Sequence, residues 1–169
     1  AFYGCTSLSS VKLPARITEI ASQSFFGCTS LSSVVIPEGV TSIDDYAFAD
    51  CESLVSVTLP NSLIHIGGYI FDDCQSLKCN EYENALYLGN EENPYLMLLR
   101  AKDTNIDSCT INKNTKFIHS NAFMSCHYLK SIVIPKNIEI IPSSVFYDCY
   151  KIYIYCEAES KPDGWSDHW

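Results

Sequence analysis

The chain has 169 residues, 47% of them hydrophobic and 18% charged, with a net charge of −9. That composition provides for a packed core and excludes a disordered chain. It also argues against a phosphate backbone or an anionic lipid surface as partner, because no basic stripe is present. No apolar run is long enough to cross a membrane.

The first element read along the chain is a repeat. "FYGCTSLSSVKLP" at 2–14 returns almost unchanged as "FFGCTSLSSVVIP" at 25–37. Phe2, Phe25, Phe48 and Phe71 are 23 residues apart, as are Cys5, Cys28, Cys51 and Cys74. The same step links Leu8, Leu31, Leu54 and Leu77, then Val11, Val34 and Val57, then Pro14, Pro37 and Pro60, then Ile20, Ile43 and Ile66. A further full unit runs from Phe123 through Cys126, Leu129, Ile132 and Pro135 to Ile141, and Phe146 and Cys149 open another. In each unit L-x-x-V-x-L-P alternates like a short half-buried strand, and proline, lacking an N–H, ends it. Strands are expected near Val11, Val34, Val57, Cys109 and Ile132, with the Phe residues from Phe2 to Phe146 as an internal spine. One strand per unit cannot bury its own apolar face, whereas stacked units can. A unit of this length fits a leucine-rich repeat.

These residues resemble the BspA-like leucine-rich repeat family, through "AFxxCxSLxxVxLPxxVxxI" repeated along the chain and the tail "YCEAESKPDGW". The resemblance implies a right-handed leucine-rich repeat solenoid with a parallel β-sheet on the concave face and a mostly irregular convex side. It further implies a cell-surface or secreted protein that attaches to host proteins or other cells, and it supplies no catalytic residue. The chain opens inside a unit, since Ala1-Phe2 match Ala47-Phe48, and so reads as a piece of a longer one. One solenoid domain is expected over 1–169: regular repeats over 1–77, an irregular insertion over 78–105, regular repeats over 106–150, and a C-terminal cap over 151–169.

In the insertion, "ALYLG" and "YLMLLRA" flank the polar link "NEENP", which suggests a β-hairpin. It reads either as a brace packed on the solenoid or as a contact site using Tyr87, Tyr95 and Leu96. The last run, "YKIYIYCE", leaves the repeat pattern and is expected to cap the core with Trp165 and Trp169.

The nine cysteines divide into six at one repeat position, expected as buried free thiols, and others off it. Cys79 and Cys109 are the pair most suited to a bridge. Cys126-His127 as a nucleophile pair is disfavoured, because Cys126 should point inward; His65, His119, His127 and His168 read as exposed turn residues. Zinc through Cys149, Cys156 and His168 lacks a recognised spacing. The acids Asp44, Asp45, Asp50, Glu52, Asp72 and Asp73 gather beside the Phe-Cys turn. They read as a solvated edge or as a calcium site between coils, although no D-x-D-x-D-G loop is present. No metal or cofactor is expected.

Residues flanking the buried strand position should face outward on the concave side. One row is Ser10, Ser33, Ser56, Ser108 and Ser131, and the other Lys12, Val35, Thr58, Thr110 and Val133. These rows are the candidate binding face, small and nearly uncharged, though Ser, Thr and Val also simply suit a sheet surface. The expected function is a non-catalytic adhesion module whose partner is a protein of a host or neighbouring cell, or a glycan. The alternative is a spacer that displays another domain.

Overall fold

The computed structural model describes residues 1–169. It contains twelve short strands and no helix. Two compact units divide the chain, Ala1–Lys78 and Cys79–Trp169. Both are solenoid stacks of the leucine-rich repeat kind.

The first unit holds two parallel ladders. β2 (Ser33–Val35) pairs with β4 (Ser56–Thr58), in the register Ser33 to Ser56, Val34 to Val57 and Val35 to Thr58. β1 (Glu19–Ile20), β3 (Ser42–Ile43) and β5 (His65–Ile66) form the other, which aligns Ile20, Ile43 and Ile66. The alternating stretch therefore became a strand at Val34 and Val57, with a buried centre and open flanks. Around Val11 no strand forms. There the coil has a neighbour on one side only, and its link is the Ser32 N–H donating to the Ser9 carbonyl at 3.2 Å. The second ladder was visible only as recurring isoleucines, because two residues are too few for an alternation to register.

Between the ladders each coil turns through F-x-x-C. The rings of Phe2, Phe25, Phe48 and Phe71 stack in sequence at 5.2, 5.1 and 5.6 Å. Those distances match the roughly 4.8 Å rise between parallel strands. Phe48 is fully buried, whereas Phe2 on the uncovered end is 39% exposed. Backbone N–H groups of the turn bridge to the next coil: Phe25 to the Ala47 carbonyl at 2.8 Å, Phe48 to Ile70 at 3.0 Å.

Two residues per turn sit in the left-handed region. One set is Gln23, Tyr46, Tyr69, Asn121 and Ser144, at φ of 55–66°. The other precedes each repeat cysteine: Gly4, Gly27, Asp50, Asp73, Ser125 and Asp148. Five of these six are glycine or aspartate, which tolerate this conformation better than most residues.

In the second unit, β9 (Ser108–Thr110), β11 (Ser131–Ile134) and β12 (Tyr153–Cys156) form a parallel sheet ordered β12-β11-β9. Strands thus appear at Cys109 and Ile132, as the repeat predicts. β12 is a true repeat strand: Ile154 sits beside Ile132 and Tyr155 beside Val133. The repeat was hidden here because the step is 22 residues rather than 23, one residue having been lost after Cys149. Trp165 closes the core from below, 4% exposed, its indole N–H donating to the Ile138 carbonyl at 3.1 Å.

The insertion contains the expected hairpin and one strand more. β7 (Ala85–Leu88) runs antiparallel to β8 (Met97–Ala101), with a bulge between Leu86 and Tyr87, and β6 (Asn80–Tyr82) adds to the other side of β7. β8 also pairs in parallel with β10 (Phe117–Ile118), so Leu98 takes the ladder place beside Ile118. One strand of the hairpin thereby does duty as a repeat strand. In the connecting loop the Asn90 side chain accepts from the Glu92 and Asn93 N–H groups. Gly89 meets the Asn93 carbonyl so closely that a Cβ would lie 2.0 Å from it.

Candidate functional site

Four of the six repeat thiols donate to the backbone of the coil before them. Cys28 Sγ donates to the Phe2 carbonyl at 3.1 Å, Cys51 to Phe25 at 3.2 Å, Cys74 to Phe48 at 3.1 Å and Cys149 to Phe123 at 3.0 Å. None of the nine cysteines forms a disulfide, so no bridge joins Cys79 and Cys109. Burial pushes the Cys109 thiol up to about 12 and the Cys126 thiol up to about 11. Such thiols remain protonated at neutral pH and are poor nucleophiles.

The histidines do not all lie in exposed turns. His127 is partly exposed and meets Asp148, its Nε2 2.9 Å from Oδ2. That contact holds the Asp148 carboxyl below the usual carboxylate range, with the Tyr150 hydroxyl assisting. His119 is buried, 5% exposed, in the slot filled by Ala21, Asp44 and Gly67 in the first unit. Desolvation lowers it to about 4, so it is neutral at physiological pH.

Of the acids, Asp50, Glu52 and Asp73 share one shallow cleft with Gln75 and Ser76. Burial, together with the neighbouring Asp73 and Asp50, raises the Asp72 carboxyl. No group of three or more His, Cys, Asp or Glu side chains is arranged to hold a metal ion.

The two outward rows lie on the strand faces. In the first unit Ser10, Lys12, Ser33, Val35 and Ser56 are exposed and Thr58 is half-buried. The register sets Ser33 beside Ser56 and Val35 beside Thr58. In the second unit Ser108, Thr110 and Val133 are exposed and Ser131 is half-buried. There the rows continue onto β12 and end in Tyr153 and Tyr155, beside Ser131 and Val133. The face thus carries two aromatic residues that the repeat pattern concealed. Their signal was the alternation in "YKIYIYC" itself, with Ile152 and Ile154 turned toward the core.

The hairpin candidates are mostly interior. Tyr87 is 0% exposed and Leu96 1%, so neither presents a surface to a partner. The Tyr87 hydroxyl accepts from the Asn112 N–H at 3.3 Å, and its ring meets Tyr95 edge-on at 5.5 Å and Tyr82 at 6.5 Å. An alternating apolar run gives one face to the core, and Tyr87 lies on that face. Tyr95 stays half-buried. Tyr82 of β6 reaches a cleft of about 350 Å3 that Thr110, Val133 and Glu157 also line, so the hairpin and the strand face of this unit border one hollow.

Six copies of the BspA type leucine rich repeat region match the chain over residues 1–91 and 101–160. The chain belongs to the BspA-type leucine-rich repeat family. The stretch between the two matched spans coincides with the hairpin loop and most of β8. The leucine-rich repeat protein of T. pallidum is 25% identical, with a TM-score of 0.52, over 88% of this chain and 71% of that one. A leucine-rich repeat protein from Bacteroides ovatus is 23% identical, with a TM-score of 0.50, over 98% of this chain and 40% of that one. The BspA-type chain thus spans two fifths of the Bacteroides protein's length. No curated protein matches it.

Proposed function

We propose that this BspA-type chain is a non-catalytic attachment module of a protein displayed at a cell surface or secreted, binding a protein of a host or neighbouring cell through its strand faces. The observation that carries this reading is the pairing of outward rows: Ser33 with Ser56 and Val35 with Thr58, Ser131 with Ser108 and Val133 with Thr110. The inward residues complete the fold, while most of these small outward ones stay exposed to solvent. A repeated, uncharged face suits contact spread over several coils, in which repetition strengthens weak individual contacts. Cys126, the thiol beside His127, is buried and protonated, and His127 is engaged by Asp148. That supports attachment rather than catalysis.

The alternative, a spacer carrying another domain, draws support from the first unit, whose strand face has no aromatic or arginine of the kind that dominates binding hot spots. Two measurements separate the readings. Antibodies to the chain should label intact, unpermeabilised source cells, and the isolated chain should bind immobilised extracellular-matrix proteins. Labelling without any binding by the chain would favour the spacer.

A further inference from the structure

Four tyrosines fall within the nine residues 147–155, and all are exposed: Tyr147 63%, Tyr150 61%, Tyr153 69% and Tyr155 59%. Aromatic rings bury large areas when covered, so four left open on one coil need a reason. Tyr153 and Tyr155 alternate along β12, which sets their Cα atoms roughly 6.6 Å apart on one face. Their strand neighbours are the smaller Ser131 and Val133, and both tyrosines are more than half exposed.

The Tyr150 ring is held in place. It stacks on His127 at 4.9 Å, and its hydroxyl donates to Asp148. Asp148 in turn meets His127 at 2.9 Å and accepts from Ser125 at 3.3 Å. A ring fixed before binding loses little entropy on contact.

Charge narrows the partner. Between residues 124 and 157, Lys130, Lys136 and Lys151 balance Glu139, Asp148 and Glu157, while the rest of the chain carries the whole net −9. A polyanion is repelled by the molecule, and a polycation would find stronger attraction at the acids of the first unit. An uncharged ligand meets neither obstacle. Each tyrosine offers an electron-rich ring face and a hydroxyl. A sugar ring offers polarised C–H groups on one side and hydroxyls at its edge, which match both. An apolar peptide would cover the Tyr153 and Tyr155 hydroxyls without offering them partners, at a desolvation cost.

We infer that the tyrosine belt, centred on Tyr153 and Tyr155 and flanked by Tyr147 and Tyr150, binds an uncharged polysaccharide by ring stacking. This rests on the reading of the chain as an attachment module and names a ligand class for its second unit. Several rings along one coil engage more than one sugar unit, so affinity should rise with chain length.

Affinity electrophoresis of the whole chain in native gels tests it, with laminarin, mannan and dextran as neutral probes and heparin as the anionic one. At least one neutral polysaccharide should retard the chain, and heparin should not. Tyr153→Ala with Tyr155→Ala should weaken that retardation at least about tenfold, about 1.4 kcal/mol or more. Phe at both positions should retain most of it, because the ring faces remain. Circular dichroism checks the fold, and Tyr147→Ala with Tyr150→Ala, at turn positions, serves if the β12 variant unfolds. The inference is overturned if no neutral polysaccharide retards the parent, or if both Ala pairs migrate as the parent does. Binding to immobilised matrix protein without any neutral-polysaccharide binding would also overturn it, yet would leave the attachment reading intact.

Discussion

Cys51 Sγ donates to the Phe25 carbonyl oxygen at 3.2 Å, from one coil to the coil before it. The same oxygen accepts the Cys28 N–H at 3.1 Å, within its own turn. The thiol is therefore a second donor to an acceptor that is already satisfied. Its loss leaves no orphaned carbonyl.

Cys51→Ala should accordingly cost only about 1–2 kcal/mol, the transfer energy of a sulfur and one weak hydrogen bond. Phe48→Ala should cost about 3–5 kcal/mol, because it empties a buried ring site with neighbours on both sides. Urea denaturation of the two variants gives the comparison. Equal losses would mean that the thiol ladder carries more than packing. In the folded protein a thiol reagent should reach Cys5 and Cys156, the two exposed cysteines, well before Cys28, Cys51, Cys74, Cys109 and Cys126.

The residue before each cysteine is fixed by backbone shape. Gly27 has φ 68°, and a Cβ there would meet nothing nearer than 3.7 Å, so Gly27→Ala tests conformation alone. A loss of about 1–2 kcal/mol is expected. Asp50 has φ 58°. Asp50→Gly should be near neutral and Asp50→Val should lose more than Gly27→Ala, since a β-branched residue tolerates this region least. Thermal unfolding of all three would show the order.

Thr115 occupies a core slot that is Val40, Leu63 and Ile138 in other coils. It is 0% exposed, and its hydroxyl has no hydrogen-bond partner. Thr115→Val keeps the shape and removes that buried hydroxyl, so it should stabilise by about 1–2 kcal/mol. A raised denaturation midpoint with an unchanged slope would bear this out, and a lowered midpoint would contradict it.

His119 gives the fold an acid weakness. Its folded value, about 4, lies below the ordinary 6.5, so the unfolded chain takes up the proton first. Its contribution is fully present above 6.5 and is lost as pH falls through the window to about 4. The loss across that window approaches about 3 kcal/mol. Stability of the parent and of His119→Leu at pH 7 and pH 4.5 would isolate it, and the variant should show the shallower fall.

The architecture was legible in most coils where the 23-residue register held, as in Phe25 over Phe48, Val34 beside Val57 and Ile132 beside Cys109, though no strand forms at Val11. It faded wherever register shifted. One lost residue concealed Tyr153 and Tyr155 as strand-face residues, and with them the only aromatic anchors on either face. The hairpin was readable from its apolar runs and polar link, but the inward turn of Tyr87 and the parallel pairing of β8 with β10 depend on tertiary contacts. Burial of His119 was equally hidden, because the matching slots hold Ala21, Asp44 and Gly67, residues that give no common chemical cue.

Attachment through the strand faces can be measured by surface plasmon resonance against immobilised extracellular-matrix proteins. The comparison is between the parent and a variant with Ser33, Val35, Ser56 and Thr58 all changed to Glu, with circular dichroism as the folding control. These side chains point away from the core, so the fold should survive the four charges. The parent should bind saturably, Thr58→Ala alone should change little, and the four-Glu variant should lose at least about tenfold in affinity, about 1.4 kcal/mol or more. Undiminished binding by a folded four-Glu variant would contradict attachment through the strand faces.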